Sequence, residues 1–369
     1  RPDIEAAYGD KLRPMDAFKD SAPAELVDCV GHDDLMVLMF TSGTTGRSKA
    51  VMLSERNFFT TVECQVKFGD AMLDYKHEHM PEDKNDVLSN FAILPLFHLG
   101  TFICLFVWAC KGWALNLSAD IRDFYRDLGL MHSDAIAVAP MLMEAIYKDV
   151  KRGRRARLNG VWNPCGSSAM FDGAMLAELA QQGMMITQVY GMTETCGDGI
   201  INYEQDEKHI RAVGRPDDHA EYKLDETGEI CIRGGCVMLG YYKDPEATAE
   251  VLDADGWFHT GDLARVDEDG FYYITGRKKN IIILDNGENV SPEELENLLS
   301  KCEAVKECIV REKGKKICAV IYCGEADQQT VRDFITETNR TLPLYKRMSA
   351  VEFSTEPLPR TGTGKLLRK

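Results

Sequence analysis

The stretch "LMFTSGTTGRSKAVMLS", residues 38–54, sets five hydroxyl side chains, two glycines and a lysine between two apolar runs. Thr41, Ser42, Thr44, Thr45 and Ser48 offer side-chain hydrogen bonds, and Gly43 and Gly46 allow bends that bulkier residues resist. Backbone N–H groups in such a bend form an anion-binding concavity, to which Lys49 adds a mobile positive charge. The flanking runs "LMVLMF" (35–40) and "AVML" (50–53) read as short buried strands, so the loop joins strand to strand. This is not the G-x-x-x-x-G-K-[ST] loop that opens a helix, because Arg47 and Ser48 separate Gly46 from the lysine. The favoured reading is a loop that grips a polyphosphate through hydroxyls and lysine. A plain polar hairpin turn is the alternative, since Ser, Thr and Gly are common in turns.

Composition narrows the class. At 369 residues the chain is long enough for a large core and more than one domain. Its net charge of −16 argues against nonspecific nucleic-acid binding, which needs a basic surface. The twelve cysteines form no C-x-x-C pair, and many sit in apolar runs such as "FICLFVWAC" and "KICAVIYC", as buried reduced thiols would. Neither a zinc site nor a disulfide framework is suggested, and a cytoplasmic enzyme is expected, with peripheral membrane association as a variant. Residues 91–110 carry no Asp, Glu, Lys or Arg and match a membrane span in length. Pro95, His98 and Gly100 interrupt them, so a buried strand, a turn at "PLFH" and a core helix are favoured.

Along the chain, the apolar spacing of residues 58–67 suits a helix, and the polar run "DYKHEHMPEDKND" (74–86) reads as a surface loop. Residues 121–130 and 141–152 read as helices around the strand "AIAVAP". A strand within 160–171, a helix over 172–182 and a strand within 184–195 continue the alternation. Such β–α–β alternation predicts a parallel sheet whose ligand lies at the C-terminal strand ends. Residues 220–275 change to short strands, "AEYKL", "EICIRG", "DLARV" and "FYYIT", with a hairpin signal at "DEDG". Beyond "GRKKN", Ser291, Pro292 and Glu294 fit N-cap, first helical position and capping-box glutamate. A hairpin around Lys313-Gly314 and a helix near 328–338 complete a small α+β plan.

Taken in order, "FTSGTTGRSKAVMLS", "PLFH", "QVYGMTET", "GWFHTGDLARVDEDGFYYITGRKKN", "NGENVSPEELE" and "LPRTGTGK" resemble the adenylate-forming superfamily, and within it the acyl-CoA synthetases. The resemblance runs from Leu35 to the end of the chain. It implies an α/β fold: a large N-terminal domain of parallel sheets and helices with a distorted β-barrel part, and a small mobile α+β C-terminal domain. The expected division is 1–276 and 277–369, with a hinge near Lys279 and a truncated first subdomain. That missing part would be supplied by the full-length chain or a partner.

The implied reaction has two steps. A carboxylate attacks the α-phosphate of ATP to give acyl-adenylate and pyrophosphate, and a thiol then takes the acyl group. The resemblance implies that Thr41, Ser42, Gly43, Thr44, Thr45, Gly46 and Lys49 hold the outer phosphates. Tyr190 and Gly191 would face adenine, with Ser167 and Ser168 bordering it, and Thr193 would bond the α-phosphate. Glu194 and Thr44 would contact Mg²⁺, which favours carboxylate and phosphate oxygens. Asp262 would take the ribose hydroxyls, Arg277 would contact the nucleotide, and Lys365 would reach the reacting atoms during adenylation. His98 would line the acyl pocket, the reading its motif favours; a satisfied core histidine in an apolar run is the alternative.

Two motifs depart from the family pattern: "CGSSAMF" (165–171) at the adenine turn, and Ile283 where relatives carry a lysine after the hinge. "PLFHLGTFICLF" has no acidic group to meet an amino-acid ammonium, so an apolar, fatty or related acid is expected. ATP, Mg²⁺ and CoA are the expected co-substrates and cofactor. A phosphopantetheine carrier protein is the alternative acceptor, and a nucleotide-binding protein without ligase activity is the alternative of another class.

Overall fold

A computed structural model of the chain describes residues 31–41, 48–118, 120–167, 171–197, 199–284, 288–360 and 366–367. The opening stretch forms an antiparallel hairpin, β1 (Leu35–Phe40) and β2 (Ala50–Ser54), in which Phe40 lies opposite Ala50. Residues 42–47 of the hydroxyl loop lie outside the described residues.

Helix α1 (Glu55–His79) follows β2 directly. Its start is a reciprocal cap, with the Asn57 N–H donating to Ser54 Oγ (3.3 Å) and the Ser54 N–H donating to Asn57 Oδ1 (2.8 Å). The helix is much longer than the apolar spacing of 58–67 indicates, and part of the polar run read as a loop is its last turn. The cause is Lys76, only 1% exposed, whose stem is buried while its ammonium reaches Asp83 Oδ2 (3.0 Å) and the Asn85 carbonyl. Removing the ammonium and stem in Lys76→Ala is expected to cost about 2–4 kcal/mol in denaturant unfolding. Lys76→Met, which keeps the stem, should lose less; equal losses would show that the buried stem contributes nothing.

The main sheet has the order β4-β3-β5-β6-β7-β8, from β3 (Ser89–Ala92), β4 (Ala114–Leu117), β5 (Ala135–Val138), β6 (Asn163–Ser167), β7 (Thr187–Gly191) and β8 (Gly199–Asn202). All neighbours are parallel except β7 and β8. The helices between the strands are α2 (Leu99–Cys110), α3 (Phe124–Leu130), α4 (Pro140–Lys151) and α5 (Gly173–Gln181). Leu128, Met143, Ile146, Leu176 and Leu179 from α3–α5 share one buried cluster with Ile136 and Val138 of β5. Met72 of α1 and Val107 and Trp108 of α2 form another with Leu88, Trp162 and Met185. The apolar segment 91–110 is therefore strand, turn and core helix, and no helix among the described residues is long and apolar enough to cross a membrane.

Two antiparallel sheets follow. Strand β11 (Gly240–Tyr241) adds to β2, giving the order β1-β2-β11, and the short helix α6 (Pro245–Ala249) comes next. The other has the order β13-β12-β10-β9, from β9 (Ala220–Leu224), β10 (Glu229–Gly234), β12 (Phe258–Val266) and β13 (Tyr272–Arg277). Register shifts at Glu229/Cys231 and Leu263/Ala264 bend this sheet, which supplies the curled β part expected of the fold.

The remaining elements are the pair β14 (Ile282–Ile283) and β15 (Asn289–Val290), helix α7 (Pro292–Leu299), the hairpin β16 (Glu307–Lys313) and β17 (Lys316–Tyr322), helix α8 (Gln328–Thr341) and β18 (Ala350–Ser354). The Ser291 side chain accepts from the Glu294 N–H at the start of α7, the cap read from sequence. Leu295, Leu299, Val310, Ile321, Val331 and Ile335 form a core of their own. Strand β18 pairs parallel with β17, a partnership with no signal in the sequence. Ser291 Oγ also donates to the Thr275 carbonyl (2.6 Å), which ties this unit to the end of β13. The eleven described cysteines are all free thiols.

Candidate nucleotide site

Strands β6 and β7 lie side by side with Ser167 opposite Val189, so their C-terminal ends deliver Ser167, Tyr190 and Gly191 to one edge of the main sheet. After Gly191 the chain turns through a 3₁₀ segment, Thr193–Thr195, then through Cys196 and Gly197 with φ of 56° and 75°. These left-handed positions reverse the chain within six residues of Gly191. The turn is anchored from elsewhere, because the Met238 N–H donates to the Glu194 carbonyl (2.9 Å). Thr193 and Glu194 are half-buried on it.

Two side-chain groupings meet here. In the first, the Tyr190 hydroxyl donates to Asp262 Oδ2 (3.1 Å), and Arg277 Nε donates to Asp262 Oδ1 (2.8 Å). Asp262 is 4% exposed and sits directly across the β12–β13 ladder from Arg277. Burial, and then the nearby Asp262 carboxylate, push the Tyr190 phenol well above its usual range, so it stays a donor. A carboxylate offers roughly four lone-pair positions. The Asp262 carboxylate is thus the point on which the Tyr190 and Arg277 side chains converge.

In the second grouping, the Tyr241 hydroxyl donates to Glu194 Oε1 (2.9 Å), and the Lys49 ammonium lies 4.4 Å from the centre of the Tyr241 ring. The β2–β11 register, which sets Tyr241 opposite Val51, makes this possible. Lys49 is thereby brought to Glu194 through an aromatic ring. A single carboxylate beside phosphate-holding groups is the donor set of an open magnesium site, since Mg²⁺ keeps waters and takes few protein ligands. The residues fit that ion.

Sequence reasoning did not single out Tyr241 or Glu229. Glu229, only 3% exposed, accepts from the Gly261 N–H (2.7 Å) and from Lys278 Nζ (2.7 Å). It thus holds the turn at Gly261, φ 73°, which immediately precedes Asp262. Neither residue has a local signal: Glu229 reads as one polar position of the strand "EICIRG", and Tyr241 falls in no element read from sequence. Lys279 occupies the middle of the 3₁₀ segment Lys278–Asn280, where Asn280 Nδ2 donates to Glu293 Oε1 (2.6 Å).

His98 is exposed at the N-terminus of α2, beside the 71%-exposed Phe97, and is not a core residue. A Cβ on Gly197 would lie 3.5 Å from Leu99, the residue after His98, so the start of α2 packs against the turn that carries Glu194. Thr41 closes the hairpin, its N–H donating to the Lys49 carbonyl (2.9 Å). Ser42, Gly43, Thr44, Thr45, Gly46, Ser168 and Lys365 lie outside the described residues.

Comparison with known proteins identifies the family. Residues 4–242 match the model of the AMP-binding enzymes and residues 294–365 that of the AMP-binding enzyme C-terminal domain. The chain is 32% identical to a feruloyl-CoA synthase of Amycolatopsis sp., over 98% of this chain and 74% of that protein. It is 30% identical to 4-coumarate–CoA ligase 3 of Oryza sativa subsp. japonica (95% and 66%) and to a long-chain-fatty-acid–CoA ligase of Salmonella typhimurium (91% and 61%). It spans between 61% and 74% of the length of these relatives. Among solved structures, o-succinylbenzoate CoA synthetase from Bacillus subtilis with its acyl-adenylate intermediate superposes with a TM-score of 0.77. That match is 24% identical and covers 99% of this chain and 75% of the other. The same enzyme with ATP and magnesium gives a TM-score of 0.75 at 25% identity, covering 96% and 73%. The chain belongs to the AMP-binding enzyme family, the adenylate-forming superfamily, and within it to the acyl-CoA synthetase type.

Proposed function

We propose that the full-length protein is an ATP-dependent acid–CoA ligase acting on an apolar carboxylic acid. The observation that carries this reading is the joining of Tyr190, Asp262 and Arg277 beside the turn bearing Thr193 and Glu194. The substrate carboxylate attacks the α-phosphorus and the bond to the pyrophosphate oxygen breaks. The thiol of CoA then attacks the acyl carbonyl, yielding thioester and AMP. Asp262 and Arg277 bind the ribose side, Tyr190, Gly191, Ser167 and Ser168 border adenine, and Thr193 donates to the α-phosphate. Thr41, Ser42, Gly43, Thr44, Thr45, Gly46 and Lys49 cradle the outer phosphates. Glu194, with Thr44, would hold a magnesium ion, which would supply positive charge beside the phosphates. Lys365 stabilises the charge that builds during adenylation, and His98 borders the acyl group.

The division into 1–276 and 277–369, with the smaller part turning about Lys279, belongs to the same reading. The separate core of the C-terminal unit and the short segment Lys278–Asn280 that leads into it support it. The acid is an apolar aliphatic or aryl carboxylic acid; the relatives are named for coumarate, ferulate and long-chain fatty acids.

ATP–pyrophosphate exchange on the full-length protein, across hydroxycinnamic, aryl and C4–C18 fatty acids, tests the first step. Adding CoA, or a carrier protein bearing phosphopantetheine, tests the second. Exchange with at least one apolar acid, followed by thioester formation with CoA, is expected. Transfer to the carrier alone would replace CoA as acceptor. ATP binding without exchange for any acid would leave a nucleotide-binding protein and overturn the ligase reading.

A further inference from the structure

Tyr241 touches both the loop lysine and the glutamate assigned to magnesium. Its phenol donates to Glu194 Oε1 at 2.9 Å and its ring seats Lys49 at 4.4 Å. The tyrosine is 6% exposed and its backbone is held firmly. It pairs with Val51 in β2, its N–H donates to Thr248 Oγ1 (2.9 Å), and that hydroxyl donates to the Asp244 carbonyl (2.8 Å). The ring position is therefore set by the β2–β11 sheet and the start of α6, independently of any ligand.

We infer that Tyr241 is a positioning residue: it orients the Glu194 carboxylate for the divalent ion and gives Lys49 its place beside the phosphates. This rests on the reading of Glu194 as a magnesium ligand. A hydrogen bond on one carboxylate oxygen fixes the plane and rotamer of the group and leaves the other oxygen for the ion. A neutral donor does this without cancelling the negative charge that the ion needs, as an ammonium on the same oxygen would. The ring face meanwhile takes the Lys49 ammonium, so the loop cation and the metal carboxylate are indexed to one rigid group.

The test uses the full-length protein, Mn²⁺ as spectroscopic probe and α,β-methylene-ATP as nucleotide, with free Mn²⁺ followed by electron paramagnetic resonance. Tyr241→Phe keeps the ring and loses the hydroxyl. It should raise the Kd for Mn²⁺ about tenfold, while analogue binding in EDTA changes less than twofold. Tyr241→Leu, which also removes the seat for Lys49, should in addition weaken analogue binding in EDTA. Glu194→Ala is the reference and should abolish tight Mn²⁺ binding. If it does so while Tyr241→Phe binds Mn²⁺ normally, the positioning role is wrong and the magnesium assignment stands. If Tyr241→Phe weakens metal and metal-free nucleotide equally, Tyr241 is merely structural and the inference fails. If Glu194→Ala binds Mn²⁺ normally, the magnesium assignment fails and takes this inference with it.

Discussion

Lys365→Ala in the full-length protein is expected to cut acyl-adenylate formation by about a hundredfold or more, some 3 kcal/mol of lost transition-state stabilisation. Supplied acyl-adenylate and CoA should still yield thioester at close to the normal rate. The asymmetry follows from the proposed two-step cycle, in which the C-terminal unit carries the lysine to the site for the first step and away for the second. The described residues on either side of Lys365 are joined to each other, and Arg360 ties them to β16. Arg360 bridges to Leu366, the Leu367 N–H donates to the Pro359 carbonyl (2.8 Å), and Arg360 pairs with Glu307 of β16 (2.8 Å). Lys279→Pro should show the opposite bias, sparing adenylation and slowing thioester formation. Proline matches the φ of the 3₁₀ segment in which Lys279 lies and resists the dihedral change that rotation demands. Single-turnover measurement of each half-reaction separates the two variants. Equal impairment of both steps by Lys365→Ala would sink the rotating-domain reading.

Asp262→Ala should raise the KM for ATP at least tenfold and also lower stability by about 2–4 kcal/mol, because two partners lose their acceptor at once. The Tyr190 hydroxyl and the Arg277 guanidinium both converge on this carboxylate, which is 4% exposed. Ribose contacts act mostly on ground-state binding, so kcat should fall less than kcat/KM. Asp262→Asn keeps an acceptor for Tyr190 and should recover much of the stability while leaving ATP binding weak. Kinetics together with denaturant unfolding of both variants decide the point. An unchanged KM in Asp262→Ala would remove the ribose assignment even if stability falls as expected.

Much of the architecture was legible in short windows. The apolar runs around the hydroxyl loop announced β1 and β2, the alternation from residue 89 to 191 announced a parallel sheet, and Ser291-Pro292 announced α7. These elements are governed by periodicity, capping and turn chemistry, which act between residues a few positions apart. The ordered motifs also named Tyr190, Glu194, Asp262 and Arg277 before any geometry was known. The misreadings have a common cause. The last turn of α1 looked like a loop because Lys76 is polar, yet it is buried by a contact with the chain beyond the helix. The alternative reading of His98 as a core residue failed in the same way: its neighbours are apolar, yet it lies exposed at a helix start, and its assignment to the acyl pocket stays a proposal.

The sequence alone determined the family and the α/β class, and it named the residues proposed for a nucleotide site. Only the tertiary structure decided how they are held. It paired Asp262 with both Tyr190 and Arg277, set Glu229 behind the turn that presents Asp262, and placed Tyr241 between Lys49 and Glu194. Except for Asp262 and Arg277, which share one hairpin, these contacts join segments far apart in the chain. The register of β2 with β11 and of β12 with β13 settles them, and strand register between distant segments is fixed by packing of the whole sheet, which no local window contains.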